Sequence, residues 1–193
     1  GLKTEKRIGP MAYLSPGSAF SGGTLARDIY FLNSISSTNE LQTPLLSSVY
    51  PSNEEHKKWS RRSLIRRFKN LKGICIAVWG LTYKPGTDTL RRSLAVEICN
   101  WLILQGALIR VHDPAVKELP KEWENNVIQS STPIETVKNA EALILATEWP
   151  IYKNISPEQI LMATEKLFVV DANRFLDNLT NVKGIDFVSV GSS

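Results

Sequence analysis

Residues 76–93 combine a strand-like apolar run with side chains that suit a phosphorylated ligand. The turn after the apolar run carries Lys84, and a helix is predicted to begin near Arg91 and Ser93. This order places a lysine, an arginine and a hydroxyl beside the positive end of a helix dipole, where phosphate groups bind well. We interpret Lys84 and Arg91 as candidate phosphate contacts, and the alternative is a surface turn with incidental charges.

Polar residues also lie at or just after the ends of three other predicted strands, at His112, Asp113, Glu148 and Arg174. His112 could transfer a proton or simply pack at its strand end, and Asp113 could contact a ribose or cap the turn before a proline. Glu148 could offer a carboxylate to a ligand or cap a helix. Arg174 could reach a phosphate or a neighbouring helix end. Both interpretations of each residue stay open at this stage.

After Gly73 the chain alternates between apolar strands and helices. Strands are predicted at 74–79, 107–112, 127–128, 142–146, 167–171 and 186–190, and helices at 90–105, 133–139 and 156–163. This alternation predicts an α/β fold, a Rossmann-like parallel sheet with helices on both faces. Such sheets bind ligands beyond the carboxyl ends of their strands, where the polar residues above are located.

The first 72 residues have a different texture and form a predicted helical dimerisation segment. A loop rich in glycine, proline and serine covers 1–23, one helix is predicted from Thr24 to about Ser34, and a longer helical stretch from 41 to 71, with a kink or break at Pro51. Its apolar positions could form an internal interface or a subunit interface, and we expect a homodimer; they are Leu45, Val49, Leu64, Ile65 and Phe68. We therefore divide the chain into 1–72 and 73–193.

Composition restricts the class of protein. The 193 residues are 42% hydrophobic, and no apolar run approaches the ~20 residues that span a bilayer, so we expect a soluble protein without a membrane partner. The net charge of +4 is concentrated in residues 57–72, which could be a nucleic-acid-binding face or, as we favour, a solvated helix face.

The two cysteines, Cys75 and Cys99, lie in apolar patterns and are predicted to be core residues without a disulfide, which fits a cytoplasmic protein. The sequence shows no cluster typical of a metal site.

The chain begins at Gly1 without an initiator methionine, so we expect a piece of a longer protein. Neither GxGxxG nor a Walker loop follows the first strand, so a standard NAD pyrophosphate site is not predicted in this sheet.

Taken in order, these segments resemble the UDP-glucose and GDP-mannose dehydrogenase family over nearly the whole chain. Residues 7–10 and 16–28 are similar to the family's RIGP and PGxGFGGSCxPKD stretches, and residues 80–88 to its GLAFKPxTDD turn. Residues 91–93, 112–114, 146–149 and 171–174 are similar to RES, YDP, ATEW and the DxRN or DANR ending.

The resemblance implies site residues and partners. It implies that Lys84 and Arg174 contact a UDP-sugar, that Phe20 and Gly22 belong to a glycine-rich loop beside the ligand, and that Arg7 reaches across a homodimer. Arg91 would contact the phosphates of NAD, a cofactor held mainly by a domain absent from this chain.

The sequence departs from the family pattern at the expected nucleophile. Aligning Phe20 and Asp28 with the family motif places Thr24 where the catalytic cysteine belongs and Arg27 where the lysine belongs. A cysteine thiolate is a far better nucleophile near neutral pH than a hydroxyl. Asp28 remains a candidate for orienting water or tuning a base.

Three hypotheses follow. The first is the UDP-sugar-binding portion of an NAD-dependent nucleotide-sugar dehydrogenase that is divergent at its nucleophile and inactive as this chain alone. The second is a non-catalytic nucleotide-sugar-binding or regulatory module, favoured by Thr24 and by Arg92 in place of the family's glutamate. The third is an unrelated α/β module that binds nucleic acid through its basic helix.

Overall fold

The structure is a computed structural model that describes residues 2–12, 14–21 and 23–191. Six strands form one sheet: β1 Cys75–Trp79, β2 Leu108–His112, β3 Val127–Gln129, β4 Ala142–Leu145, β5 Leu167–Asp171 and β6 Ile185–Val188. Their order is β3-β2-β1-β4-β5-β6, and every neighbouring pair is parallel. The predicted α/β class is confirmed. The strand order reverses between β1 and β4, which creates the crevice where doubly wound sheets bind ligands.

Helices account for most of the remaining regular structure. They are α1 Thr24–Thr38, α2 Pro44–Lys57, α3 Trp59–Phe68, α4 Leu94–Leu104, α5 Pro133–Val137 and α6 Pro157–Ala163. Short 3-10 helices, which the sequence pattern did not predict, cover Leu2–Thr4, Lys121–Trp123, Pro150–Asn154 and Asp177–Leu179. These short turns lack the long apolar repeat from which a helix is recognised in sequence.

The central strand β1 divides the core into two layers because alternate side chains point to opposite faces of a sheet. Ile76 and Val78 pack on the face covered by α3 and α4, whereas Ala77 and Trp79 pack on the face covered by α5 and α6. All four side chains are completely buried. A strand buried on both faces explains why β1 is a continuous apolar run.

Helix α3 belongs to the core of the sheet. Leu64 is completely buried in the same cluster as Leu102 of α4 and Ile76 of β1, so it forms an internal contact. Leu45 of α2, by contrast, is 85% exposed. Leu64 therefore supports the internal interpretation, whereas the subunit interface and the division of the chain after residue 72 stay predictions.

The break predicted at Pro51 occurs elsewhere. Helix α2 continues through Pro51 and ends at Lys57, and the interruption before α3 falls at Lys58. Proline removes only one backbone donor, and the rest of this 14-residue helix is retained. At the true break, the Lys58 N–H donates to Glu55 O in a tightened last turn.

Gly80, directly after β1, allows the sheet to form at the point where strand order reverses. Its φ is +84°, and a Cβ at this position would lie 2.4 Å from Thr147 Cβ and 2.7 Å from Thr147 N. Thr147 follows β4, and its N–H donates to Trp79 O over 3.2 Å. Only glycine therefore allows the ends of β1 and β4 to approach so closely.

We predict that Gly80→Ala lowers the free energy of unfolding more than Gly86→Ala, as measured by denaturant titration. Gly86 is a matched control because its φ is +81° but no atom lies within 4 Å of the added Cβ. Both substitutions carry the left-handed backbone cost of about 1–2 kcal/mol. Gly80→Ala adds overpacking of about 1–3 kcal/mol. Equal losses in the two variants would contradict the close approach to Thr147.

Candidate functional site

The Asp113 side chain, only 6% exposed, connects three strand ends at the carboxyl edge of the sheet. Its Oδ2 accepts hydrogen bonds from the backbone N–H groups of Leu81 (2.7 Å) and Thr82 (3.1 Å), which follow β1. The same oxygen accepts from the indole Nε1–H of Trp149, after β4, over 3.1 Å. Its Oδ1 accepts from Ala115 N over 2.8 Å, as expected of a turn cap. Of the two interpretations of Asp113, the structure supports capping.

His112 is packed at the end of β2, 6% exposed, next to Tyr152. The distance from His112 Nδ1 to Tyr152 Oη is 3.1 Å, and the tyrosine hydroxyl donates to His112 O over 2.8 Å. The Tyr152 ring stacks on Trp79 with 4.9 Å between centroids. Burial lowers the pKa of His112, and the nearby Asp113 carboxylate opposes this shift only in part. The structure supports the packed role, which favours the neutral imidazole.

Lys84 and Arg91 lie exposed on the loop between β1 and α4, at the crevice where the strand order reverses. The Lys84 ammonium lies 5.5 Å from the Tyr83 ring centroid. Within the described part of the chain, neither cation forms an ion pair or a side-chain hydrogen bond. Ser93 is buried instead: its hydroxyl donates to Leu81 O over 2.6 Å and accepts from Ala95 N. Ser93 therefore caps α4 and is not available to a ligand.

Arg174, after β5, lies at the same edge but is directed toward the end of β6. Its Nε and Nη2 lie 3.3 Å and 3.1 Å from Ser189 Oγ. The neighbouring Asp171 is buried, and burial raises the pKa of its carboxyl although the N–H groups of Leu176 and Asn173 donate to it. Asp171 thus shapes the loop that carries Arg174.

The glycine-rich loop, defined as residues 16–23, lies beside this edge; Gly22 falls outside the described residues. The Ser18 N–H donates to Asn173 Oδ1 over 2.6 Å, and the Phe20 N–H donates to Asn53 Oδ1 over 2.9 Å. His56 Nε2 lies 2.6 Å from Gly17 O. These backbone groups are bound to protein side chains, so the amides of Ser18 and Phe20 are not directed at a ligand. Sequence reasoning missed Asn53 because its partner is 33 residues away.

The candidate residues of α1 lie at its first turns and are exposed. Thr24 is the first residue of α1, and the capping position Gly23 provides no side-chain hydrogen bond. The Asp28 carboxylate pairs with Arg27 Nη2 over 2.9 Å. A Cβ on Gly23 would lie 2.4 Å from Arg92 Nη1, so the guanidinium of Arg92 is adjacent to the start of this helix. Arg92, rather than Arg91, is the arginine that joins the β1–α4 loop to α1.

A cavity of about 740 Å³ opens between α1 and α2. Phe20, Tyr30 and Tyr50 supply aromatic walls, and Arg92 and Glu97 supply charges at the end near α4. A volume of this size lies within the range of small-molecule pockets. The sequence pointed to Phe20 in this wall but did not connect it with the two tyrosines.

A partly buried ion-pair network joins α2 to α4. Lys57 Nζ lies 2.9 Å from Glu54 Oε1 and 3.1 Å from Glu97 Oε1. Desolvation alone would lower the pKa of Lys57, but the two carboxylates outweigh it and raise the pKa. Arg61 adds a hydrogen bond from Nη2 to Glu97 O over 3.2 Å. Part of the basic run thus serves to join helices.

Other cations of the basic run also have carboxylate partners. Lys58 and Arg62 pair with Glu55 at 2.8 Å and 2.6 Å, and Arg67 pairs with Asp186 at 3.4 Å. Such pairing reduces the charge that is free to neutralise nucleic-acid phosphates.

Arg7 lies in the first described segment and is exposed. Its Nε pairs with Glu5 Oε1 over 3.0 Å, and its side chain remains 88% exposed. The structure contains one chain, so the predicted reach of Arg7 to a partner subunit stays a prediction.

Both cysteines are core residues, as predicted. Cys75 and Cys99 are free and buried. Burial raises the pKa of both thiols, that of Cys99 to about 12. Neither thiol is therefore suited to act as a thiolate nucleophile.

No group of three or more metal-ligating side chains occurs among the described residues. None of the helices in the described part of the chain has both the length and the apolar character that crossing a bilayer requires.

The environment of His112 predicts a specific pH dependence. Because burial lowers the pKa of folded His112 below 6.5, the unfolded chain takes up its proton first as the pH falls. Its contribution to stability is therefore complete above pH 6.5 and is lost as the pH falls toward the folded pKa. His112→Asn keeps a polar group near Tyr152 but cannot titrate.

We expect the free energy of unfolding to fall more in the wild type than in His112→Asn between about pH 7.5 and about pH 5.5. Chemical denaturation at both pH values measures this difference. The change with pH is taken within each protein, so the packing that His112→Asn loses at every pH cancels. Parallel pH profiles would show that the imidazole does not titrate between the folded and unfolded states.

Comparisons with known proteins agree with this geometry. The family model described as "UDP-glucose/GDP-mannose dehydrogenase family, UDP binding domain" matches residues 77–178. A UDP-glucose 6-dehydrogenase of Rickettsia bellii is 32% identical over 197 residues, which cover all of this chain and 45% of that protein. The chain thus spans less than half the length of this relative.

Solved structures show the same arrangement of elements. A UDP-glucose dehydrogenase from Pyrobaculum islandicum superposes with a TM-score of 0.76 at 25% identity, covering 97% of this chain and 40% of that one. A UDP-D-ManNAc dehydrogenase from Pyrococcus horikoshii gives a TM-score of 0.78 at 24% identity, covering 98% and 42%, and supports the fold alone. With the family model matching more than half of its residues, this chain belongs to the UDP-glucose/GDP-mannose dehydrogenase family, whose UDP-binding domain it contains.

Proposed function

We propose that this chain is the UDP-sugar-binding portion of an NAD-dependent nucleotide-sugar dehydrogenase similar to UDP-glucose 6-dehydrogenase. The observation that carries this proposal is the pair of exposed cations, Lys84 and Arg91, at the crevice beside β1. Neither has a carboxylate partner among the described residues, so both are free to bind an anionic ligand. The reaction would be the oxidation of a sugar alcohol for polysaccharide precursor synthesis.

The candidate residues take different roles in this proposal. Lys84 supplies a point charge to the UDP-sugar, and Arg174, on the loop after β5, supplies a second contact once it is released from Ser189. Phe20 and Gly22 border the ligand from the glycine-rich loop. The assignments of Lys84 and Arg174 rest on their position at one edge of the sheet and on the resemblance of their motifs to those of the family. Those of Phe20 and Gly22 rest on the resemblance of the loop motif.

NAD would be held mainly by a part of the protein outside this chain. The loop after β1 does not fit a dinucleotide pyrophosphate, because Gly80, its first glycine, is already packed against Thr147. Arg91 remains exposed and could contact the cofactor's phosphates from the edge of the crevice.

A homodimer is part of the proposal, as is a cytoplasmic location. Helices α1 and α2 expose large apolar side chains, including Tyr30 (77%), Phe31 (63%) and Leu45 (85%). Such neighbouring apolar groups favour burial against another protein surface. Arg7, exposed near the start of the chain, would extend from this helical part toward the partner's ligand.

A non-catalytic nucleotide-sugar-binding module is the second candidate function. Thr24 occupies the position of the family's cysteine, and the two cysteines that the chain does contain are buried with raised pKa values. Arg92 further places a positive charge beside Gly23, at the start of α1. Both observations favour a site that has retained binding and lost covalent catalysis, with Asp28 as the remaining candidate catalytic side chain.

The first test is calorimetric titration of the 193-residue chain with UDP, UDP-glucose and GDP-mannose at two salt concentrations. We expect the UDP ligands to bind more tightly than GDP-mannose and all binding to weaken at the higher salt concentration. Lys84→Ala should weaken UDP binding about tenfold or more, because a charge-assisted contact is removed.

Lys183→Ala is the matched control, since Lys183 is also exposed but precedes β6 at the amino edge of the sheet. Its affinity for UDP should equal that of the wild type. Unchanged affinity in Lys84→Ala, or an equal loss in both variants, would refute Lys84 as a ligand contact.

Turnover separates the two candidate functions. In a protein that joins this chain to its NAD-binding domain, NADH formation from UDP-glucose by the wild type would support the dehydrogenase. If the wild type binds UDP-glucose without forming NADH and Thr24→Cys forms the sugar acid, the non-catalytic module is supported and the missing nucleophile explains it. Thr24→Ser controls for the substitution itself, since it keeps a hydroxyl.

A further inference from the structure

Two asparagine side chains, one from α2 and one from the loop after β5, hold the glycine-rich loop. Asn53 of α2 forms a pair of hydrogen bonds with Phe20: its Oδ1 accepts from the Phe20 N–H over 2.9 Å, and its Nδ2 donates to Phe20 O over 3.0 Å. Asn53 is only 7% exposed. Its amide thus satisfies both backbone groups of one loop residue, much as a neighbouring strand would.

Asn173, on the loop after β5, makes the second attachment. Its Oδ1 accepts from the Ser18 N–H over 2.6 Å, and its Nδ2 lies 3.3 Å from Ser18 Oγ. Its Nδ2 also donates to the Glu148 carboxylate. Because a carboxylate accepts hydrogen bonds, Glu148 fixes the orientation of the amide so that Oδ1 faces the loop.

Gly17 leaves room for the Asn173 attachment. A Cβ at position 17 would lie 2.3 Å from Asn173 Oδ1, so an alanine there would displace the Asn173 amide from its present position. Gly17 therefore permits the approach of a protein side chain. This role can be tested separately from any contact between the loop and a ligand.

The attachments connect the loop to the edge where the candidate ligand contacts lie. Asn173 follows β5 and Glu148 follows β4, and both strands end at the carboxyl edge that also carries Lys84. A free loop with unpaired backbone groups would have to be ordered when a ligand binds, at a cost in affinity. A loop already held by side chains avoids that cost.

We propose that Asn53 and Asn173 are positioning residues that hold residues 16–21 of the glycine-rich loop in their ligand-binding conformation. The nucleotide part of this inference rests on the proposed UDP-sugar site. The ordering of the loop rests on the hydrogen bonds above and is measurable without a ligand.

Amide hydrogen exchange of Ser18 and Phe20, followed by NMR, tests the ordering. We expect Asn173→Ala to accelerate exchange at Ser18 about tenfold and Asn53→Ala to do so at Phe20, since each removes the acceptor of that N–H. Asn126→Ala is the control, because among the described residues its side chain bonds only to Glu124 O, before β3. Asn173 is exposed, so its truncation does not empty the core.

UDP titration of the same variants tests the consequence for binding. We expect Asn173→Ala to bind UDP about tenfold more weakly than the wild type and Asn126→Ala to bind equally well. Gly17→Ala should weaken binding in the wild-type background but not further in Asn173→Ala, where its obstacle is gone. This non-additivity distinguishes a specific contact from general destabilisation.

The outcomes separate the two proposals. Unchanged exchange at Ser18 and Phe20, or wild-type UDP affinity in both asparagine variants, overturns the positioning role. If the wild-type chain does not bind UDP, the proposed nucleotide site fails, and exchange alone decides the ordering role. Faster exchange in the two variants then supports it, and unchanged exchange overturns it.

Discussion

The buried carboxylate of Asp113 is the constraint on which the carboxyl edge of the sheet depends. A charged group removed from water is costly unless hydrogen-bond donors replace the lost hydration. Here the donors are the backbone of the β1 turn, the indole of Trp149 after β4 and the turn after β2 itself. Because the group must be satisfied, the three strand ends are held in one arrangement, and Lys84 extends from a loop with a rigid base.

The helical first part of the chain is joined to the sheet through side chains of several kinds. Leu64 provides apolar burial, and Lys57 provides an ion pair to Glu97. Asn173, on the loop after β5, adds a directional hydrogen bond to the glycine-rich loop, and Asn53 attaches the same loop to α2. Apolar contacts stabilise this junction without specifying register, whereas the amide pairs accept only one geometry. The loop beside the candidate site is thereby placed relative to the strand ends.

Local signals predicted most of the secondary structure. The buried strands were recognised from their apolar runs. In the structure, capping boxes at Thr132 and Ser156, which the sequence analysis did not identify, mark where α5 and α6 begin. The prediction failed at Pro51, where a helix tolerates a lost hydrogen bond, and at the short 3-10 turns, which carry no periodic pattern. Local preference is weak beside the packing of a whole helix against a core.

Sequence alone was enough to predict the α/β fold, the family resemblance and the absence of a cysteine near the start of α1, because motif order and composition are properties of the chain itself. The roles of His112 and Asp113 stayed open until the structure was known, since packing and capping depend on partners that fold against them. Gly80 and Gly17 illustrate the same limit. The lack of a side chain at each position is explained by a close neighbour that is distant in sequence, Thr147 for Gly80 and Asn173 for Gly17. Hydrogen-bond partners across 32 or 155 residues exist only after the chain has folded.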